Sequence, residues 1–329
     1  AMHKSLGNSI SPDDIIKKYG ADLVRLWVAS SDYSVDVRCS DNIFKQLSEA
    51  YRKIRNTARI LLANLGDFNP DTDSVKVEDM LEIDRWALAR LNDLVKECRD
   101  GYDSYQFHIV YHAINNFCTI DMSKLYVDIT KDRVYVEKAD SFERRSAQTA
   151  MYLIINAMTR LVSPLLAFTG EEIWKAMPHT ANENAVSVFL NPLPEVNPAY
   201  NFDGADKWEK LFNLRDDVTK ALELARAEKV IGKSLDAKVT VFTEDKATLE
   251  LFGQFTGTEL ATVFITSQAL VVDAPAMAGA VASELGNPVS VLVSNADGKK
   301  CDRCWAYSTE GEATEGDGFL CARCKRIIG

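Results

Sequence analysis

The chain is 329 residues long, which at ordinary domain sizes of roughly 100 to 200 residues implies two or three domains and excludes a single small module. With 47% hydrophobic and 26% charged residues, and only 16 Gly and 9 Pro, the composition is that of a folded protein and excludes disorder over most of the length. Acids outnumber bases 48 to 38 for a net charge of -10, so any contact with nucleic acid must come from local basic patches.

Ala1-Met2-His3-Lys4-Ser5-Leu6-Gly7-Asn8 is a polar loop ahead of any core-forming element, and it reads as the interior of a longer chain. Ser11-Pro12-Asp13-Asp14 then supplies an N-cap, a proline at the first helical position and two carboxylates favoured by the helix dipole. With Gly20 as the stop, a short helix over 12–19 is predicted. From 22 to about 178 apolar residues recur at three- and four-residue steps, clearest at Ile54, Ala58, Leu61 and Leu65 and again at Met151, Ile154, Ile155, Met158 and Leu161. Helices are expected near 22–30, 41–65, 79–100, 104–128, 141–162 and 169–177, and long helices joined by short links pack as a bundle.

Four of the nine prolines (Pro178, Pro192, Pro194, Pro198) fall in residues 178–206, which read as a linker with one short strand at 186–190. A helix over 207–228 leads into strand-like 238–243, helical 247–255, and strand-like 261–266, 269–273 and 289–294, the pattern of a small α+β domain. The expected fold class is therefore mainly α: a helix bundle, a small α+β domain and a terminal cysteine ribbon, divided at 1–21, 22–205, 206–296 and 297–329. No stretch reaches the roughly 18 uninterrupted apolar residues of a membrane span, and a cytoplasmic location is expected.

The cysteines carry the most specific signal. Cys39, Cys98 and Cys118 are scattered, whereas Cys301, Cys304, Cys321 and Cys324 form two Cys-x2-Cys pairs. Each pair turns two sulfurs towards one centre, and two pairs make a closed four-thiolate cage for one structural zinc ion, with no open position for catalysis. Cations cluster at these knuckles, and Trp305 beside Arg303 suits stacking on an unpaired base; the alternative is that Trp305 packs on the protein. A second basic patch lies on the helix over 41–65. Arg52, Arg55, Asn56 and Arg59 share one face, and residues 45–60 hold five cations against Glu49 alone. His108 and His112 stand four apart with no third ligand, and no Ser-His-Asp set or phosphate-binding glycine loop is present, so no complete active site is legible.

Several segments resemble a known family. Met2-His3-Lys4-Ser5-Leu6-Gly7-Asn8 is similar to the Lys-Met-Ser-Lys-Ser loop of class I aminoacyl-tRNA synthetases, and Gly20-Ala21-Asp22-Leu23-Val24-Arg25-Leu26-Trp27 continues it in the usual form. Tyr51 to Arg59, Asp84-Arg85-Trp86 and Ser163 to Trp174 extend the resemblance, and Lys300-Cys301-Asp302-Arg303-Cys304-Trp305 is similar to the bacterial isoleucine-specific branch.

The resemblance implies that the bundle binds the anticodon region of an isoleucine tRNA, with Arg52, Arg55, Arg59, Arg303 and Trp305 as contacts. It implies that Lys4, aided by His3 and Ser5, stabilises ATP phosphates as the adenylate forms. It further implies a monomer whose nucleotide-binding and editing domains lie upstream in the same chain, so that these 329 residues alone activate no amino acid. Ala1 and His3 depart from the motif's first Lys and its Ser. A valine- or leucine-specific synthetase and a free-standing zinc-ribbon RNA-binding protein are the alternatives.

Overall fold

Pro12 and the acids behind it start α1 (Pro12–Tyr19), which stops at Gly20 in a left-handed conformation, φ +88°. The computed structural model describes Ser5, residues 10–314 and residues 318–329. Within it the chain forms two units: one runs to Val127 and resumes over Ala139–Phe202, and the other takes Asp128–Lys138 and Asp203–Gly329.

The first unit is helical. It contains α2 (Ala21–Ser30), α3 (Asp41–Ala63), α4 (Glu82–Asp103), α5 (Phe107–Asn116), α7 (Phe142–Val162) and α8 (Ala167–Ala176). Side-chain caps fix two of the starts: Ile43 N donates to Ser40 Oγ at 3.3 Å and Arg144 N to Ser141 Oγ at 3.2 Å. The apolar stripes read from the sequence meet in one core. Leu61, Trp86, Leu88, Met151, Ile154, Met158 and Trp174 are each 1% exposed or less, and each large side chain so buried stabilises the unit by about 1.5–3 kcal/mol relative to exposure.

The helix expected over 104–128 is more complex than its periodicity. Tyr105 takes a left-handed turn, φ +59°, and Gln106 N returns to Gly101 O at 2.8 Å, so α5 starts only at Phe107. The chain then widens into a π-helical stretch, Phe117–Tyr126, before α6 (Val127–Val136) restores the α-helical winding. Widening leaves carbonyls without their usual partners, and hydroxyls fill in: Ser123 Oγ donates to Cys118 O at 2.7 Å and Thr57 Oγ1 to the same oxygen at 3.2 Å. The strand expected at 186–190 is instead a single 3₁₀ turn, Val188–Leu190. Ser187 Oγ accepts from Phe189 N, and Asn191 Nδ2 donates to Ser187 O, so local side chains satisfy the backbone that a strand would have to pair.

In the second unit α9 (Ala205–Ala227) precedes a four-stranded sheet of order β2-β1-β4-β3. The strands are β1 (Ala237–Thr243), β2 (Gln268–Asp273), β3 (Val281–Ala282) and β4 (Ser290–Asn295). β1 runs parallel to β2 and antiparallel to β4, in register Val239↔Ala269 and Val239↔Val293. The parallel crossover is made by α10 (Lys246–Phe252) and α11 (Gly257–Phe264). Residues 261–266, expected as a strand, fall in α11 and its C-cap. The β-branched run misleads, because a capping box upstream decides: Glu259 N donates to Thr256 Oγ1 at 3.2 Å and Thr256 N to Glu259 Oε2 at 2.7 Å. Among the described residues no helix is long and apolar enough to cross a membrane.

Candidate metal centre and nucleic-acid interface

The last thirty residues form two small hairpins and a helix. β5 (Lys299–Lys300) pairs with β6 (Tyr307–Ser308), β7 (Gly311–Ala313) pairs with β8 (Phe319–Cys321), and α12 (Ala322–Ile328) follows directly. Gly298, φ +94°, is required at the entry, since a Cβ there would lie 2.2 Å from Ser308 O. Cys301 leaves β5, Cys304 closes the turn, Cys321 caps α12 and Cys324 sits in its first turn.

All four Sγ atoms lie within 4.8 Å of one another, and all four residues are buried. Zinc with Zn–S bonds of about 2.3 Å at the centre of a sulfur tetrahedron requires edges of about 3.8 Å, and Cys304 Sγ lies 3.8 Å from Cys321 Sγ. The thiols fit a tetrahedral soft-metal ion by size and by chemistry. Among the described residues this is the one such grouping of metal-ligating side chains, so His108 and His112 gather no third ligand.

The sulfurs differ in environment. Burial pushes the Cys301 thiol up, but N–H groups of Cys304, Cys321 and Arg303 aimed at its sulfur bring it down to about 6. Burial raises Cys304 to about 11 and pushes Cys324 up as well, and neighbouring thiolates add to both. Cys301 and Cys324 are 0% exposed, whereas Cys304 and Cys321, at 9% and 7%, stand on the wall of a cavity of about 390 Å³.

Trp305 is 62% exposed and left-handed, φ +64°, its N–H donating to Cys301 O at 2.9 Å. The indole therefore projects to solvent and does not cover the cage. Arg303 is exposed but donates from Nη2 to Val136 O at 2.7 Å, which anchors the knuckle to the end of α6. Arg323 forks onto Asp132 of the same helix at 2.6 and 2.9 Å. Nothing in the sequence marked Asp132 as a partner, because the two residues are 191 positions apart.

On α3, Arg52, Arg55, Asn56 and Arg59 are all exposed on one face, with Ile54, Thr57, Ala58 and Leu61 buried opposite. The cations are not equivalent. Arg52 pairs with Glu49 at 2.7 Å and Arg55 with Glu172 at 3.1 Å, while Arg59 makes no ion pair among the described residues.

Arg55 ends a hydrogen-bonded relay. Buried Asp22 accepts from Phe168 N, Thr169 N and Thr169 Oγ1 at 3.3, 2.8 and 2.6 Å; Tyr51 Oη lies 3.0 Å from Thr169 Oγ1; and Arg55 Nη1 donates to Tyr51 Oη at 3.2 Å. Since the Thr169 proton goes to Asp22, Tyr51 must donate to Thr169 and accept from Arg55. Three segments that looked unrelated in sequence thus converge. Ser5 is exposed, and Lys4 and His3 lie outside the described residues.

The model for the anticodon-binding domain of tRNA ligases matches residues 84–241, and that for class I tRNA synthetases (I, L, M and V) matches residues 1–40. The isoleucine–tRNA ligase of Caldanaerobacter subterraneus subsp. tengcongensis is 48% identical over 331 residues, covering 99% of this chain and 35% of that protein. The isoleucine–tRNA ligase of Syntrophotalea carbinolica is 47% identical over 330 residues, covering 99% of this chain and 35% of that protein. Along nearly its whole length the chain is similar to isoleucine–tRNA ligases. It spans about a third of the length of the curated relatives it matches. A solved structure, the LeuRS–tRNA–LeuAMS ternary complex of Agrobacterium radiobacter K84, is similar at a TM-score of 0.47 and 14% identity, covering 74% of this chain and 24% of that one. Against these matches, neither a valine- or leucine-specific synthetase nor a free-standing zinc-ribbon RNA-binding protein is favoured.

Proposed function

We propose that this chain binds tRNA as the anticodon-reading portion of an isoleucine–tRNA ligase, which joins isoleucine to its tRNA with ATP. The observation that carries the reading is 48% identity to such a ligase running along 99% of the chain, through the stretch matched by the anticodon-binding model. The exposed faces agree with it. A chain of net charge -10 sets three arginines on one side of α3 and an exposed indole on a rigid knuckle, the side chains that neutralise phosphates and stack on unpaired bases.

The same reading assigns Cys301, Cys304, Cys321 and Cys324 to one zinc ion that holds the ribbon folded. When bound, the metal supplies a cross-link and no reaction chemistry. Lys4, with His3 and Ser5, serves the ATP phosphates in the full-length enzyme, and residues 1–21, 22–205, 206–296 and 297–329 act as loop, bundle, junction and ribbon of a cytoplasmic monomer. Alone, the 329 residues form no adenylate, because the adenine and amino-acid contacts lie elsewhere.

The test is fluorescence anisotropy with isoleucine tRNA and with the same tRNA carrying a substituted anticodon. Salt-dependent binding that drops with the substituted anticodon is expected. Equal affinity for both tRNAs, or none for either, overturns the reading. Metal analysis finding no stoichiometric zinc overturns the metal assignment separately, as isoleucine-dependent pyrophosphate exchange above a Lys4→Ala control would overturn the predicted inactivity.

A further inference from the structure

α9 ends in a Schellman turn: Val230 N returns to Ala225 O at 2.9 Å and Lys229 N to Arg226 O at 3.1 Å. The residue in the left-handed position of such a turn is usually glycine, occasionally asparagine, because a Cβ is strained there. Here it is Lys229, φ +60°. A strained non-glycine residue persists where its side chain is needed or where the surroundings force it, and Lys229 is exposed, so packing does not force it.

The surroundings are cationic. Residues 226–233 hold Arg226, Lys229 and Lys233 against Glu228 alone, and none of the three cations makes an ion pair among the described residues. Asp236, the nearest following acid, is occupied by Lys233 N at 2.7 Å.

One hydroxyl ties this loop to the ribbon. Ser267 Oγ donates to Leu235 O at 2.5 Å and accepts from Tyr307 N at 2.7 Å. Lys233 stands two residues before Leu235 and Trp305 two before Tyr307. At no more than about 3.6 Å of chain per residue, the Lys233 and Trp305 backbones lie within about 20 Å of each other, a reach of a few nucleotides. Trp305 is itself left-handed and exposed. Of the three non-glycine residues of this unit at positive φ, Lys229, Ile265 and Trp305, the two that are exposed thus carry a cation and an aromatic ring.

We propose that Lys229 and Lys233 form a phosphate-binding loop that holds the backbone of a single-stranded RNA segment whose base stacks on Trp305. This rests on the tRNA-binding reading above and adds residues to it. The bland alternative is that Lys229 merely complements the negative end of the α9 dipole.

Lys229→Gly and Lys229→Asn separate the two, since both fit the left-handed turn and neither carries charge. Each variant is expected to keep or raise the melting temperature yet lose affinity for isoleucine tRNA, lowering the log-log salt slope by about 0.7. Lys229→Gly with Lys233→Ala should lower it by about 1.4, and Lys229→Arg should restore the charge-dependent part. Unchanged affinity and slope in the double variant, while Trp305→Ala still weakens binding, overturns the loop and leaves the tRNA reading standing. Absence of tRNA binding by the unaltered chain removes both.

Discussion

Thr169 gives Asp22 two hydrogen bonds, from its backbone N–H at 2.8 Å and its hydroxyl at 2.6 Å, and so fixes the start of α8 against α2. The hydroxyl also meets Tyr51, which meets Arg55. Thr169→Val keeps the shape and breaks the relay. We expect a loss of about 1–3 kcal/mol by urea unfolding, because the side-chain hydrogen bond to a buried carboxylate is removed. Weaker tRNA binding should accompany it, with stacking at Trp305 unaffected.

The three arginines of α3 should rank by their acids. Arg59 has no ion-pair partner among the described residues, so Arg59→Ala should cost more tRNA affinity than Arg52→Ala, whose charge is shared with Glu49. Glu172→Gln frees Arg55 from a surface pair worth about 0.2–1 kcal/mol, and tRNA binding should tighten by about one and a half to fivefold. Filter binding at two salt concentrations reads all three; a weaker Glu172→Gln protein would mean that the acid positions Arg55 and does not compete for it.

Metal binding should release at least two protons. At pH 7 the Cys301 thiol, brought to about 6, is already a thiolate, while Cys304 at about 11 and Cys324, also raised, hold theirs. Zinc needs thiolates, so these two protons leave at the least, and affinity should fall by about a hundredfold or more per pH unit as pH drops from 8 to 7. Calorimetry in two buffers of different ionisation enthalpy counts them.

Arg323→Ala should loosen the ribbon and leave the bundle intact. The forked pair with Asp132 is about a third exposed, so the expected cost is about 1 kcal/mol. Limited proteolysis should cut the ribbon sooner while the melting of the first unit holds.

In that unit, Tyr126 Oη and Ser146 Oγ both donate to fully buried Asp84, at 2.7 and 2.5 Å. Tyr126→Phe should cost about 1–3 kcal/mol, since it removes a bond to a buried carboxylate. A change below 0.5 kcal/mol would show that other groups carry Asp84.

What the sequence revealed follows from how local each signal is. Apolar periodicity placed the bundle helices within a few residues, and cysteine spacing placed the ribbon, because both are written in neighbouring residues. The π-helical stretch left no trace, since Phe117 to Tyr126 read as ordinary helix, and one of the two hydroxyls on the freed Cys118 carbonyl comes from Thr57, far away in sequence. Thr262 and Val263 of α11 and Ile265 at its C-cap looked like a strand because β-branching speaks locally and the capping box sat just outside the window. Of the candidate contacts, Trp305 and the arginines were legible as residue types, but the partners of Arg55 and Arg303, Glu172 and Val136, are brought in by tertiary packing.

The ribbon's interior is composed of Cys301, Cys304, Cys321 and Cys324 with Phe319 and Val136, and little else is buried there. Its candidate metal ligands are its core. Removing one thiol does not thin a hydrophobic centre that neighbours can refill; it dissolves the centre. Single-step replacement of any one cysteine therefore meets a stability cliff, and a descendant that dispenses with the metal would need several simultaneous apolar substitutions or would shed the whole segment. The four positions must change together or stay together.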